Sequence, residues 1–247
     1  MKRFTAALAL SLATVRLLAE PAPFQSALTD SHRPMDQIAL DRLRKPTQLL
    51  EFVGLKPGQR IADFMSGNAY FTRLFSSVVG PYGHVYAVLP SEQLAHCAPE
   101  EVAGTVAVEH DPHYSNVSII RVPAQGFAAP LPLDMVWLSQ DYHDLHDQFM
   151  QPTDVAQFNA AVFRSLKKGG IYVIVDHMAE AGSGLRDTET LHRIDPDVVR
   201  KEVTRAGFIL DAETDILRQP ADTHRLAVFD PSIRHQTDQF VYKFRKP

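Results

Sequence analysis

A doubly wound α/β domain, built on a mostly parallel seven-stranded sheet with an antiparallel C-terminal strand, is the fold this sequence predicts. Three observations predict it. Short β-branched runs alternate with segments of helical spacing between residues 60 and 206. The stretch Gln59-Arg60-Ile61-Ala62-Asp63-Phe64-Met65-Ser66-Gly67-Asn68-Ala69-Tyr70-Phe71-Thr72-Arg73 passes from a buried strand through a glycine turn into a helix. Two apolar runs then close the chain, Phe208 to Ile216 and Phe240 to Phe244, and read as an antiparallel hairpin.

Taken in order, Met35 to Phe52 places Ile38, Leu40, Leu43, Leu49 and Leu50 at helical spacing, with an interruption at Pro46 and a stop at Gly54-Leu55-Lys56-Pro57-Gly58. The first strand is Arg60 to Phe64. A helix from Asn68 to Val79 stops at Gly80-Pro81-Tyr82-Gly83, and the second strand runs His84 to Leu89. A helix is expected over Ser91 to Ala103 and a short extra strand over Val106 to Glu109. The third and fourth main strands are Val117 to Val122 and Asp134 to Leu138. Helix Thr153 to Leu166 ends in Lys167-Lys168-Gly169-Gly170, with bases at the negative dipole end and glycine beyond. Ile171 to Val175 is the fifth strand, its apolar run suited to burial on both faces. The last helix, Asp195 to Ala206, opens with Asp195 as its N-cap and Pro196 at its first position.

Composition narrows the function. A chain of 247 residues with 45% hydrophobic content can bury one good α/β core. Its net charge of −4, with Lys and Arg scattered, argues against nucleic acid as a partner. The single cysteine, Cys97, excludes an internal disulfide and any multi-cysteine metal site, and is expected to be a small buried hydrophobe. Met1-Lys2-Arg3 before the apolar run Phe4 to Val15 resembles a signal peptide over residues 1–19, with cleavage after Ala19. Arg16 interrupts that run and Leu17 stands where a small residue is preferred, so an uncleaved anchor is the alternative. Glu20 to Pro34 reads as a linker and residues 35–247 as one domain, periplasmic or secreted, with no further run long enough to span a membrane.

The strand order resembles the class I S-adenosylmethionine-dependent methyltransferases over residues 47–247. More closely, it resembles a group of predicted exported methyltransferases. The resemblance rests on Leu55-Lys56-Pro57-Gly58, on Gly67 followed by Tyr70-Phe71-Thr72-Arg73, and on Tyr142-His143-Asp144. It rests further on Leu191-His192-Arg193-Ile194-Asp195 and on the terminal run Asp238 to Pro247. It implies a small-molecule methyl acceptor and S-adenosylmethionine as cofactor. Asp63, Met65, Ser66, Gly67, Asn68 and Tyr70 would lie beside the methionine moiety. Glu92 or Ser91 would stand near the ribose, Gln125 at the base edge, and Leu89 or Phe127 as its apolar wall. Two departures stand out. Only Gly67 survives of three alternating glycines, where Met65 and Ala69 would resist a positive φ, and no acidic residue ends the second strand.

The resemblance puts acceptor chemistry in the loop Ser139 to Asp147. There Tyr142 would wall the methyl site, His143 would serve as a base with a pKa near neutrality, and Asp144 would orient it. His143, His146, Asp144 and Asp147, with Asp176-His177, offer metal-ligand types. They form no familiar zinc motif, and no metal is expected. His192 and Arg193 have two readings, as acceptor-pocket residues or as the approach to a capped helix. The rival to an enzyme is a non-catalytic binding protein on a degenerate methyltransferase fold. A hydrolase is disfavoured, since no Gly-x-Ser-x-Gly elbow occurs. The sequence does not disclose the oligomeric state.

Overall fold

The structure, a computed structural model, describes residues 23–247, and the residues expected to form a leader lie outside that range. The elements, in chain order, begin with α1 (Pro23–Leu28), α2 (Met35–Arg44), α3 (Pro46–Val53), β1 (Arg60–Phe64), α4 (Tyr70–Val79) and β2 (His84–Pro90). There follow α5 (Ser91–His96), α6 (Pro99–His110), β3 (Val117–Val122), β4 (Leu133–Ser139), α7 (Val155–Ser165) and β5 (Leu166–His177). The chain ends with α8 (Thr188–Leu191), α9 (Pro196–Arg205), β6 (Ile209–Thr214) and β7 (Gln239–Arg245). The sheet order is β3-β2-β1-β4-β5-β7-β6, with β7 antiparallel to both of its neighbours. The chain reverses its direction of travel between β1 and β4. At such a switch point, a crevice opens at the strands' carboxyl ends.

Strand alternation sends each side chain to one of two cores. Ile61, Val85, Met135, Trp137 and Val173 pack with Leu49 and Leu50 of α3 and Phe71, Leu74 and Phe75 of α4. Ala62, Phe64, Val88, Val136, Leu138 and Tyr172 pack with Phe158 of α7 and Val199 and Val203 of α9. Each fully buried Phe or Leu contributes roughly 1.5–3 kcal/mol. Trp137 sits under Phe71 and Phe75, with ring centroids 4.6 and 5.6 Å away. Among the described residues, no helix is long and apolar enough to cross a membrane.

Several local expectations are corrected. Val106 to Glu109 is helical, inside α6, because Val102, Thr105 and Val108 bury one face at three-residue spacing. The helix expected over Ser91 to Ala103 is two helices, broken at Cys97-Ala98, since the residue before Pro99 is disfavoured from helical geometry. Lys167 to Gly170 belongs to β5, with Gly169 N–H bonded to the Lys246 carbonyl. Part of the segment read as linker is folded onto the domain. Ala27 of α1 is fully buried, and Arg33 donates to the Leu28 carbonyl and to Asp41 of α2.

Candidate functional site

The turn after β1 adopts a backbone that its non-glycine residues resist. Met65, Gly67 and Ala69 adopt φ of 56°, 49° and 61°, so all three alternating positions are left-handed although only one is glycine. Each non-glycine residue held there costs roughly 1–2 kcal/mol, and such strain persists where the surroundings enforce it. The Val88 carbonyl holds Met65 N–H at 3.0 Å, and α6 braces the other side. Thr105 Oγ1 donates to the Gly67 carbonyl at 2.8 Å and lies 3.1 Å from Ser66 Oγ, and Gly104 N–H donates to Asn68 Oδ1 at 2.9 Å. Asn68 is therefore occupied with α6. The N-cap of α4 is Ala69, with no side-chain cap bond.

Gly104 is what lets α6 approach, because a Cβ there would overlap the Asn68 carbonyl. Helix propensity alone favours Gly104→Ala by about 1 kcal/mol. The overlap is with backbone, so the expected net result is a loss of about 1–3 kcal/mol in thermal or urea unfolding.

Asp63, Met65, Ser66, Gly67, Asn68 and Tyr70 line one cavity of about 280 Å³, together with Gln37 and Arg44 from α2 and Gln140 and Asp141 from the end of β4. Asp63 is almost wholly buried and accepts a 2.6 Å hydrogen bond from Thr72 Oγ1. Burial outweighs that bond and the charge of Arg44, and raises the Asp63 pKa to about 7. Burial lowers the Arg44 pKa, but a guanidinium stays charged. Arg44 lies over the Tyr70 ring at 4.5 Å, and Tyr70 Oη donates to Asp41.

Leu89, Glu92 and Gln125 do not join this group. Leu89 is fully buried in the sheet. The Glu92 carboxylate accepts from Ala124 N–H at 3.1 Å, and Gln125 Oε1 accepts from Asp154 N–H at 3.0 Å. Both side chains thus brace the loop that follows β3. Phe127 is core, edge-on to Phe64 at 5.4 Å.

A second cavity, of about 410 Å³, shares Gln140 and Asp141 with the first and is also lined by His143, Asp144, His177, His192 and Phe229. Gln140 has φ 72°, a further left-handed residue between the two cavities. His143 is gripped on both nitrogens. Nδ1 lies 2.9 Å from Asp176 Oδ1 and Nε2 lies 3.1 Å from Asp144 Oδ1. Asp176, fully buried, also accepts main-chain N–H groups from His143 at 2.8 Å and His177 at 2.7 Å. Burial alone would lower the His143 pKa, but Asp176 and Asp144 reverse that and raise it well above the ordinary value. The base expected at His143 is therefore an imidazolium at neutral pH, with no free nitrogen to accept a proton. Burial would raise Asp144, yet bonds from His143 and His192 hold it at about 2. Burial, then the charges of His143 and Arg193, push His177 well below its usual value.

Tyr142 faces the other way. Fully buried, it donates from Oη to Glu202 at 2.9 Å and accepts from Asn159 Nδ2 at 2.8 Å. It thus packs in the core instead of walling the methyl site. Tyr142→Phe is expected to cost about 1–3 kcal/mol in a thermal melt while leaving S-adenosylmethionine affinity unchanged. Arg193 is likewise structural, fully buried on Asp222 at 2.9 Å and on the Met178 and Leu226 carbonyls. His192 does reach the second cavity. Cys97 is half-buried on that cavity's wall, and burial beside Glu101 raises its thiol pKa.

No family model and no curated protein matches the sequence. Solved structures do share its fold. A SAM-dependent methyltransferase from Aquifex aeolicus is 16% identical, with a TM-score of 0.57 over 84% of this chain and 98% of that one. The glycopeptide N-methyltransferase MtfA complexed with S-adenosyl-L-methionine is 16% identical, with a TM-score of 0.52 over 81% and 86%. The cyclase SpnF is 18% identical, with a TM-score of 0.60 over 88% and 84%. The chain therefore has the Rossmann-like fold of the class I methyltransferases. At these identities, and with a cyclase among its likenesses, the fold alone does not choose the reaction.

Proposed function

We propose that the protein transfers a methyl group from S-adenosylmethionine to a small-molecule acceptor. The observation that carries this is the first cavity. Its turn keeps all three alternating positions left-handed with a single glycine, and it brings Asp63 and Arg44 to the lining of the same cavity. That pairing suits the zwitterionic amino-acid end of the cofactor, with Asp63 toward the ammonium and Arg44 toward the carboxylate. When bound, the cofactor supplies an electrophilic methyl at a sulfonium. The chain supplies alignment, and Asp144, held ionised by its histidine partners, places negative charge at the second cavity. The acceptor would occupy the second cavity, against Phe149 and Phe229.

Calorimetry of S-adenosylmethionine with purified, tag-free protein tests the proposal. One saturable site that is weakened by Arg44→Met is expected, and no binding rejects it. A non-catalytic binding protein is the second reading, favoured by the end of β2, where Glu92 is turned away and offers the cavity no carboxylate. Saturable binding without product from a broad acceptor panel would favour it. Export, as in the group the sequence resembles, is part of the proposal and rests on residues 1–19. N-terminal sequencing of the protein from a periplasmic extract checks it.

A further inference from the structure

The second cavity holds a set of donors that methyl transfer by alignment does not require. From their geometry we infer that His143, Asp144 and His192 form a site for a first-row divalent transition ion, with zinc as its simplest occupant. The inference extends the methyl-transfer proposal without depending on it.

The donor atoms already converge. His143 Nε2 is 3.1 Å and His192 Nδ1 is 3.9 Å from the same oxygen, Asp144 Oδ1, and all three lie within 4.8 Å of one another. An ion with bonds of about 2.0–2.2 Å holds its ligands roughly 3–3.5 Å apart, so shifts of about an ångström close the set. The His143 ring is also aimed. Asp176, held by two main-chain N–H groups, takes Nδ1 and leaves Nε2 as the atom facing Asp144. A buried carboxylate behind a histidine is the usual outer support of a metal-bound imidazole. An arriving cation would displace the proton on Nε2 and take over its partner, Asp144.

His192 is placed by a helix end and by ring packing. It ends α8 with φ 53°, and its ring lies between Phe229 at 4.9 Å and His143 at 5.5 Å. A left-handed residue is common just past a helix end, and here that turn delivers the ring to the cluster. Two imidazoles and one carboxylate suit zinc and its neighbours better than magnesium or calcium, which favour oxygen. Three protein ligands at a cavity of about 410 Å³ leave coordination positions open to a water or an acceptor oxygen. One other such group among the described residues, Asp30, His32 and His113, is a poorer fit. Its two rings are stacked 3.7 Å apart, and both are already bonded to Asp30 at an exposed corner.

The test uses the full, tag-free chain stripped with a chelator. Zinc is titrated by calorimetry, and cobalt(II) is followed by its visible absorption. One equivalent of zinc should bind, cobalt should show ligand-field bands of a nitrogen- and oxygen-bound ion, and Asp144→Ala and His192→Ala should each weaken binding about 10–100-fold. His113→Ala should leave the affinity unchanged. Circular dichroism confirms that the variants are folded, and His192→Ala, on a half-exposed residue, serves if Asp144→Ala is not. Absence of zinc binding overturns the inference, as does binding that survives both cavity variants and is lost in His113→Ala. S-adenosylmethionine calorimetry on the same stripped protein separates this failure from failure of the methyl-transfer proposal.

Discussion

Asp176→Asn is expected to lower the melting temperature by roughly 10 °C, from a loss of about 3–5 kcal/mol, because it leaves the His143 imidazolium buried without its main partner. The amide keeps one oxygen for the three N–H donors that now converge on the carboxylate. Its NH2 would meet one of those donors. The sign of the pH dependence is fixed by His143. Its folded pKa lies above the unfolded value of 6.5, so the stability it contributes is fully present below about 6.5 and disappears as pH rises through the folded value. The gap between wild type and variant should therefore be wide at neutral pH and narrow in alkali. A gap that does not change with pH in differential scanning calorimetry would show that His143 is not held as the cation.

Asp63→Asn carries the second large effect, and it separates binding from stability. The folded pKa of about 7 stands above the ordinary 3.8, so the folded chain holds this proton more tightly than the unfolded one. Stability from this group is thus greatest below about pH 4 and declines as pH rises to about 7. A bound ammonium reverses that cost by favouring the carboxylate. S-adenosylmethionine affinity is expected to rise about tenfold between pH 6 and pH 8 in the wild type. In Asp63→Asn it should be flat with pH and at least about tenfold weaker at pH 8, the loss of one charge-assisted hydrogen bond. The same variant should melt no lower than wild type at pH 8, because it removes a buried charge whose desolvation outweighs what Thr72 and Arg44 return. A drop in melting temperature with affinity intact would make Asp63 a purely structural residue.

The strand order was readable because β-branched runs such as Ile171 to Val175 leave little alternative to a buried strand. Asp63 and Gly67 were readable because a strand that meets a glycine and then a helix has few uses. The left-handed Met65 and Ala69 were not, since their φ is imposed by the Val88 carbonyl and by α6 pressing from the far side. Val106 to Glu109 misled because β-branched content outweighed the three-residue burial period. In the polar loop, the residue types announced His143 and Asp144. The partners that decide their chemistry, Asp176 and His192, come from distant segments that only the fold brings near. Tyr142 is adjacent to His143 in sequence, yet the turn sends it into the α7 and α9 core. Arg44 carries no local signal, because it is an ordinary basic residue at the end of a helix until the fold sets it against Asp63.

The connection from β6 to β7 has a consequence for how a guest would be received. Residues 215–238 contain no helix or strand, a length at which loops are usually either functional or disordered. Here the order is already present. Asp238 gathers Arg218 Nε at 2.8 Å, the Gln219 N–H at 2.7 Å and His224 Nε2 at 3.1 Å, while Asp222 receives Arg193 and the Asp238 N–H. Val228 and Phe229 therefore stand in the cavity wall before anything enters, and the entropy of fixing that wall, about 1–2 kcal/mol per residue, was met on folding. Recognition on such a surface is by shape against a rigid mould. Changing what the mould accepts should then be possible with new side chains at 149, 228 and 229, with the anchors at 193, 222 and 238 left in place.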